Sequence, residues 1–268
     1  MMKKHFLPFL ISALALFTSC NKTPDKIISI NPSELTTADQ VKIGEAFQLT
    51  LESNPVEFPI LDGVAYPEAN AYVSTLFYTM LNTAQVQHRH DYNWSVHILH
   101  NDDIRTAFFL PGGHFYIYTG LLKYLDTESE LLGVIGHELF YVDSDLLVER
   151  MRQAFGGVTL GDILLENPVP KLPEYAAYMP LLDFDEEQVT DADAFAVQLI
   201  CPFLYEPSGI KKILEKAETQ ELKPLWLETR PAKFETRLQL LAEETAACGL
   251  PGVSNEENYL KFKMEYLP

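Results

Sequence analysis

One short stretch of the chain alternates between apolar and polar residues, while most of the rest follows a helical period. Over residues 93–100 every second side chain is apolar, the pattern of a half-buried β-strand. Residues 106–110 and 114–119 are two further strand-like runs, separated by a Pro-Gly-Gly turn. Apolar spacing predicts helices over residues 37–52, 67–85, 127–151, 184–200, 208–217 and 232–247. The sequence therefore predicts an α+β fold, mostly helical, with one small antiparallel or mixed sheet.

The first twenty residues have the composition of a bacterial export signal. Lys3 and Lys4 form a basic start, and residues 6–17 form an apolar stretch that is too short for a membrane span of about 20 residues. The Phe-Thr-Ser-Cys ending resembles the lipobox of bacterial lipoproteins, although Phe17 stands where leucine is more common. The resemblance implies a signal peptide over residues 1–19, a lipidated Cys20 and a tether over 20–35. An ordinary secretory signal with a chance cysteine is the alternative.

The charge of the chain restricts its partners. The 268 residues include 38 acidic and 20 basic ones, which gives a formal charge of −18. This charge excludes nucleic acid as an electrostatic partner, because the phosphate backbone would repel it. We expect membrane contact through the lipid anchor instead. The length suits one sizeable domain, which we place at residues 36–250 with a C-terminal tail at 251–268.

Two further cysteines, Cys201 and Cys248, lie in segments with helical spacing. They could form a disulfide in an oxidising compartment, or they could be two buried free thiols. The sequence gives no distance between them, so both alternatives stay open.

The helix predicted over residues 127–151 contains an incomplete metal-binding motif. Positions i and i+4 of a helix lie on one face, so two histidines at that spacing can bind one Zn²⁺. A glutamate at i+1 then acts as general base on the metal-bound water. His137 and Glu138 occupy the first two positions of this motif, but Tyr141 stands at i+4. A His-Glu pair alone is a weak signal.

The surrounding segments strengthen that signal. Residues 106–122, followed by Gly133 to Glu138, resemble the gluzincin metallopeptidase family that contains HtpX, BepA and the CAAX prenyl proteases. Residues 184–196 are similar to the family's second metal helix, and residues 226–238 to its terminal His-Pro…Arg segment. The similarity covers roughly residues 36–245. It implies a zincin-like fold, an ancestral zinc site and the capture of extended polypeptide substrates.

This chain departs from the family pattern at the metal ligands. The resemblance places the second histidine ligand at Tyr141 and the glutamate ligand at Val189, counted from the Ala192-Asp193 pair. Arg230 replaces a family histidine. Asp193 is retained, and the family implies that it supports the ligand histidines. Of the three expected ligands, only His137 remains.

These substitutions remove the chemistry that the family uses. Valine has no lone pair, and a neutral phenol with a pKa near 10 is a poor ligand. Without the metal, Glu138 has no acidified water to deprotonate. Other residues could supply replacement donors, but the sequence favours surface or loop positions for them: Asp145, Asp191, His88, His90, His97, His100 and His114.

Three functions remain open. The sequence favours a pseudopeptidase without a metal cofactor that binds extended polypeptide or assists assembly at the cell envelope. Its expected groove lies between the strand of Phe108 and Phe109, with the Gly113 turn, and the His137 helix. The alternative is an active zinc metalloendopeptidase with an altered ligand set, which acts in envelope protein quality control. A third hypothesis is a structural lipoprotein without a groove function.

Overall fold

The computed structural model describes residues 35–220, 223–230, 232–249 and 251–268. The predicted export signal, the lipidation site Cys20 and the tether up to residue 34 lie outside the described residues, and so does Pro231. In the described part of the chain, no helix is both long enough and apolar enough to cross a bilayer.

Three strands form one mixed sheet, as the sequence predicted. They are β1 (Ser95–Leu99), β2 (Ala107–Leu110) and β3 (His114–Tyr118), and β3 lies in the middle. β1 pairs with β3 in parallel and β2 pairs with β3 antiparallel, so β2 is an edge strand. Gly113 closes the β2–β3 turn at φ +99°, where an added Cβ would lie 2.7 Å from the Trp94 ring. Glycine tolerates this left-handed conformation and this close approach.

Helices supply most of the remaining described structure, which confirms the mostly helical α+β class. A 3₁₀ turn lies at Met179–Leu181. The helices are α1 (Thr37–Glu52), α2 (Pro67–Leu81), α3 (Thr119–Tyr124), α4 (Glu128–Asp143), α5 (Leu146–Phe155), α6 (Gly157–Leu164), α7 (Leu172–Tyr178), α8 (Glu186–Ile200), α9 (Gly209–Glu218), α10 (Leu225–Glu228), α11 (Phe234–Ala247) and α12 (Glu256–Glu265).

The single helix expected over residues 127–151 is two helices. α4 ends at Asp143, and Asp145 begins α5 from a left-handed backbone conformation at φ +62°. The Asp143 carboxylate accepts hydrogen bonds from the backbone N–H groups of Gln87 and His88, at 2.9 and 2.8 Å. This contact joins the end of α4 to the segment before β1. An apolar period cannot reveal such a break, because the buried positions continue across it.

The C-terminal tail predicted for residues 251–268 is wrong. Helix α12 lies in this segment, with Tyr259 and Phe262 fully buried. Phe262 stacks on Tyr72 with the ring centroids 4.3 Å apart, and the Tyr259 hydroxyl donates a hydrogen bond to the Leu122 carbonyl. The folded domain therefore extends past residue 250, because two aromatic side chains anchor the final helix.

A disulfide joins Cys201 to Cys248, with a Cα–Cα distance of 5.3 Å. Cys201 follows the last residue of α8 and Cys248 follows the last residue of α11. The bond therefore connects the ends of two helices that carry residues of the buried site, and it resolves the alternative that the sequence left open.

Candidate functional site

The site is built on α4, which lies inside the domain. Thr127 caps this helix by accepting a hydrogen bond from the Glu130 N–H at 3.1 Å. α4 packs against α2, α8, α9 and β2, so nearly every residue along it is buried. His137 is fully buried and Glu138 is 3% exposed. The two residues that the sequence singled out are therefore interior groups that need protein partners.

A close approach of α4 to α8 brings Asp193, the first partner of His137, into contact with it. An added Cβ on Gly136 would lie 2.9 Å from the Ala196 Cα, so only glycine allows this separation. Asp193 also lies on α8, and its Oδ1 is 2.8 Å from His137 Nδ1. Asp193, which the family resemblance implies as a support for ligand histidines, therefore contacts His137 directly.

The second nitrogen of His137 is also occupied. The Tyr141 hydroxyl lies 3.0 Å from His137 Nε2. Burial lowers the pKa of His137, although the hydrogen bond and charge of Asp193 oppose this shift. The lowered pKa favours the neutral ring. The hydrogen-bond network then assigns Nδ1–H as donor to Asp193 and Nε2 as acceptor from Tyr141. The lone pair that would bind a metal is therefore used by a phenol.

Asp193 has a second buried partner on α11. Arg237 donates from Nε to Oδ2 at 2.7 Å and from Nη2 to Oδ1 at 2.9 Å. Both side chains are fully buried. Burial alone would raise the pKa of Asp193, but the Arg237 charge and the His137 hydrogen bond hold it below its usual range. The carboxylate is therefore ionised and acts only as an acceptor.

Glu138 is held by two donors from the chain around α10. Its Oε1 accepts a hydrogen bond from Trp226 Nε1 at 2.6 Å and one from Arg230 Nη2 at 2.5 Å. The Trp226 ring also contacts the His137 ring edge-on, with centroids 5.0 Å apart. The general base of the resembling family is thus an ion-pair acceptor in this structure.

Aromatic rings enclose the Arg230 guanidinium. Its Cζ lies 5.1 Å from the ring centroids of Tyr141 and Phe184, and these two rings stack on each other at 3.6 Å. Burial alone would lower the pKa of Arg230, but the charge of Glu138 raises it. The arginine is therefore a stable cation with cation–π and ionic partners.

The arrangement does not fit a hydrolytic zinc site. Such a site needs three protein ligands and an open position for water. His137 Nε2 accepts from Tyr141, burial raises the pKa of the Tyr141 phenol, and the buried Val189 offers no donor atom. Among the described residues, no group of three or more His, Cys, Asp or Glu side chains could hold a metal ion.

The residues predicted to form the groove divide between two places. Phe108 and Phe109 line a narrow space beside Glu138 and Tyr141, but Gly113 lies in the β2–β3 turn and packs on Trp94. The space measures about 10 Å³, close to the volume that one water molecule needs. Met179, Pro180 and Leu182 close it from the outside.

An ion pair fixes the segment that closes this space. Arg150 on α5 donates to the Asp183 carbonyl at 2.6 Å and also pairs with the Asp183 carboxylate. A separate cleft of about 240 Å³ lies over this pair, between α5 and the start of α8. Residues 179–185, which we call the covering segment, therefore separate the buried site from the open cleft.

The histidines that could have rebuilt a metal site have other contacts. His97 and His114 share a hydrogen bond with the Ser95 hydroxyl, each at 2.8 Å, on the sheet near α1. His88 Nδ1 lies 3.2 Å from the Asp91 carboxylate. His90 and His100 are exposed.

Sequence reasoning missed three partners of the site. Trp226 and Arg230 hold Glu138, and Phe184 stacks on Tyr141. The change from the family histidine to Arg230 was the only available signal, because it places a charge where a neutral ring is expected.

Comparison with known proteins identifies the family of the segment that forms this site. The model of peptidase family M48 matches residues 67–245, which include all the buried site residues described above. The beta-barrel assembly-enhancing protease of Escherichia coli (strain K12) is 24% identical over 237 residues, which are 80% of this chain and 46% of that protein. The mitochondrial metalloendopeptidase OMA1 of Arabidopsis thaliana is 27% identical over 134 residues, 50% of this chain and 27% of that protein. The matches span less than half of each relative. The chain belongs to peptidase family M48.

Proposed function

We propose that this chain is a pseudopeptidase of the bacterial cell envelope, which binds extended polypeptide or assists assembly without cleaving peptide bonds. The observation that supports this most directly is the hydrogen bond from the Tyr141 hydroxyl to His137 Nε2. With Val189 at the third ligand position, the site keeps a peptidase framework but lacks the donors for a catalytic metal. The similarity to the beta-barrel assembly-enhancing protease of Escherichia coli supports a role near assembly.

The proposed binding surface is the edge of β2. Strand β2 pairs only with β3 in the described sheet, and its outer side faces the covering segment. Within the described residues, no backbone hydrogen bond joins β2 to residues 179–182. An extended polypeptide could therefore pair with β2 by strand addition after this segment moves aside.

Binding and cleavage of one unfolded polypeptide test this function. A fluorescently labelled, urea-unfolded outer-membrane β-barrel protein should bind the purified chain and stay intact over hours. The polypeptide should stay equally intact with Glu138→Gln, because Glu138 performs no hydrolysis. Cleavage by the wild-type chain that Glu138→Gln abolishes would overturn the proposal.

The alternative function is an active zinc metalloendopeptidase with an altered ligand set that acts in envelope protein quality control. It is favoured by the retained His137, Glu138 and Asp193, and by similarity to a protease and a metalloendopeptidase. This function requires one zinc ion per chain, lost on His137→Ala. It also requires Tyr141 to release His137 Nε2.

We also propose attachment to the envelope membrane through a lipidated Cys20. The supporting feature is the lipobox-like Phe-Thr-Ser-Cys sequence. A mass spectrum of the mature N-terminal peptide should show an acylated cysteine. A mature N-terminus without acyl chains, or an unprocessed one, would reject the anchor.

A further inference from the structure

Four buried side chains of the site carry full charges, and these charges balance. Glu138 and Asp193 are the anions, Arg230 and Arg237 are the cations, and none is more than 4% exposed. Each carboxylate has its own guanidinium: Asp193 pairs with Arg237 and Glu138 pairs with Arg230. With His137 neutral, the cluster has no net charge. Balanced pairs are the arrangement in which buried charge is tolerated.

The departures from the ligand pattern explain how this balance arises. Valine at position 189 stands where the pattern has a carboxylate, which removes one negative charge. Arginine at position 230 stands where the pattern has a neutral histidine, which adds one positive charge. Together the two substitutions make the side chains of the site more positive by two units. A zinc ion carries the same charge.

We propose that the Arg230 guanidinium replaces the metal ion as the resident cation of this site. This proposal rests on the proposed absence of metal catalysis, and it adds that the Arg230 guanidinium supplies the positive charge of the site. The guanidinium neutralises Glu138, the carboxylate left beside His137 when no dication is present. An arginine suits this position because it stays charged when buried and presents several donors in a fixed plane.

Arg230 also joins chain segments, as a coordinated ion does. Nη2 donates to Glu138 on α4, and Nη1 donates to the Leu182 carbonyl at 3.2 Å and the Thr229 hydroxyl at 2.8 Å. The guanidinium therefore connects α4, the covering segment and the end of α10. Its contacts with the Tyr141 and Phe184 rings place it next to the phenol that binds His137.

A double-mutant cycle tests whether Arg230 and Glu138 depend on each other. Arg230→Met and Glu138→Met each leave one buried charge unpaired, so each should raise the unfolding equilibrium constant by roughly a hundredfold or more. The double variant should return to within about tenfold of wild type, because both charges are gone. Arg152→Met, at a half-buried arginine on α5, is the matched control and should change the constant by less than about tenfold. Additive effects of the two single variants would overturn the proposal.

Rebuilding the ligand set tests the replacement itself, with zinc content as the readout. Tyr141→His with Val189→Glu restores three ligands while Arg230 is kept, and this variant should bind zinc poorly. Adding Arg230→Ala should raise its zinc affinity by at least about tenfold, because a cation no longer opposes the metal. Equal zinc affinity with and without Arg230 would overturn the proposal.

A different result would reject the proposed function instead. If the wild-type chain binds one zinc ion that His137→Ala removes, the site is a metal site and the pseudopeptidase proposal fails. If the wild type is free of zinc but the rebuilt site ignores Arg230, only the replacement by arginine fails. Circular dichroism shows whether each variant is folded. If the rebuilt variants do not fold, the double-mutant cycle of Arg230 and Glu138 tests the proposal.

Discussion

The two halves of the buried site differ in how closely they follow the metallopeptidase pattern. The inner half, formed by His137, Asp193 and Arg237, keeps the residues of the pattern and their mutual hydrogen bonds. The outer half, formed by Glu138, Tyr141 and Arg230, keeps only the glutamate and surrounds it with new partners. The comparison teaches that the inner half has a structural role, because it ties α4, α8 and α11 together.

The largest effect should come from breaking the inner half. Asp193→Asn leaves the fully buried Arg237 without a counter-charge, and we expect a loss of about 3–5 kcal/mol in the free energy of unfolding. Chemical denaturation followed by circular dichroism measures this loss. Asp191→Asn, at an exposed position on the same helix, should change stability by less than about 0.5 kcal/mol. Equal effects of the two variants would show that the inner half does not support the fold.

The disulfide sharpens the comparison, because it joins the two helices that carry Asp193 and Arg237. Replacing both Cys201 and Cys248 by serine should reduce the free energy of unfolding by about 2–4 kcal/mol, since a long loop of the unfolded chain is no longer closed. Denaturation with and without a reductant measures the change. Wild type in reductant should match the variant. Unchanged stability in both cases would mean that the ion pair alone holds α8 to α11.

A buried histidine outside both halves of the site, His114, should make the stability of the protein depend on pH. Burial lowers the pKa of His114 to about 4, from 6.5 in the unfolded chain. Between these values the unfolded state binds the proton more tightly, so stability should fall as pH decreases from about 6.5 to about 4. The part due to His114 is about 3 kcal/mol. His114→Gln should flatten this pH dependence and His100→Gln, at an exposed position, should not. Equal pH profiles for wild type and His114→Gln would contradict this assignment.

The smallest effect concerns the contact between the two halves. Tyr141→Phe removes the hydroxyl that donates to His137 Nε2 and leaves a buried acceptor without a partner. We expect a loss of about 1–3 kcal/mol, measured by denaturation. Tyr178→Phe, at a side chain that is 45% exposed, is the control and should have little effect. If both variants match wild type, the phenol does not occupy the ligand nitrogen.

The sequence predicted the elements that repeat a local period, but not those that depend on distant partners. The helix at 37–52 and the three strands agree with the structure, because local apolar spacing and the Pro-Gly-Gly turn mark them. The break after Asp143 and the packing of Tyr259 against Leu122 depend on contacts far along the chain. These contacts leave no periodic signal, so both were missed.

The candidate site shows the same division. His137, Glu138 and the missing ligands could be identified from spacing on one helix and from a family pattern. The pairing of Glu138 with Arg230 links residues 92 positions apart, and no local pattern encodes it. Gly113 packs against Trp94 in the β2–β3 turn, a contact that no local pattern encodes.

The zinc content of the purified chain tests the central claim most directly. The protein should be produced in zinc-supplemented medium, dialysed without chelator and measured by elemental mass spectrometry beside His137→Ala. We predict no zinc above the level of that variant, because Tyr141 uses the only remaining ligand nitrogen. One zinc ion per chain in wild type, lost in His137→Ala, would contradict the account.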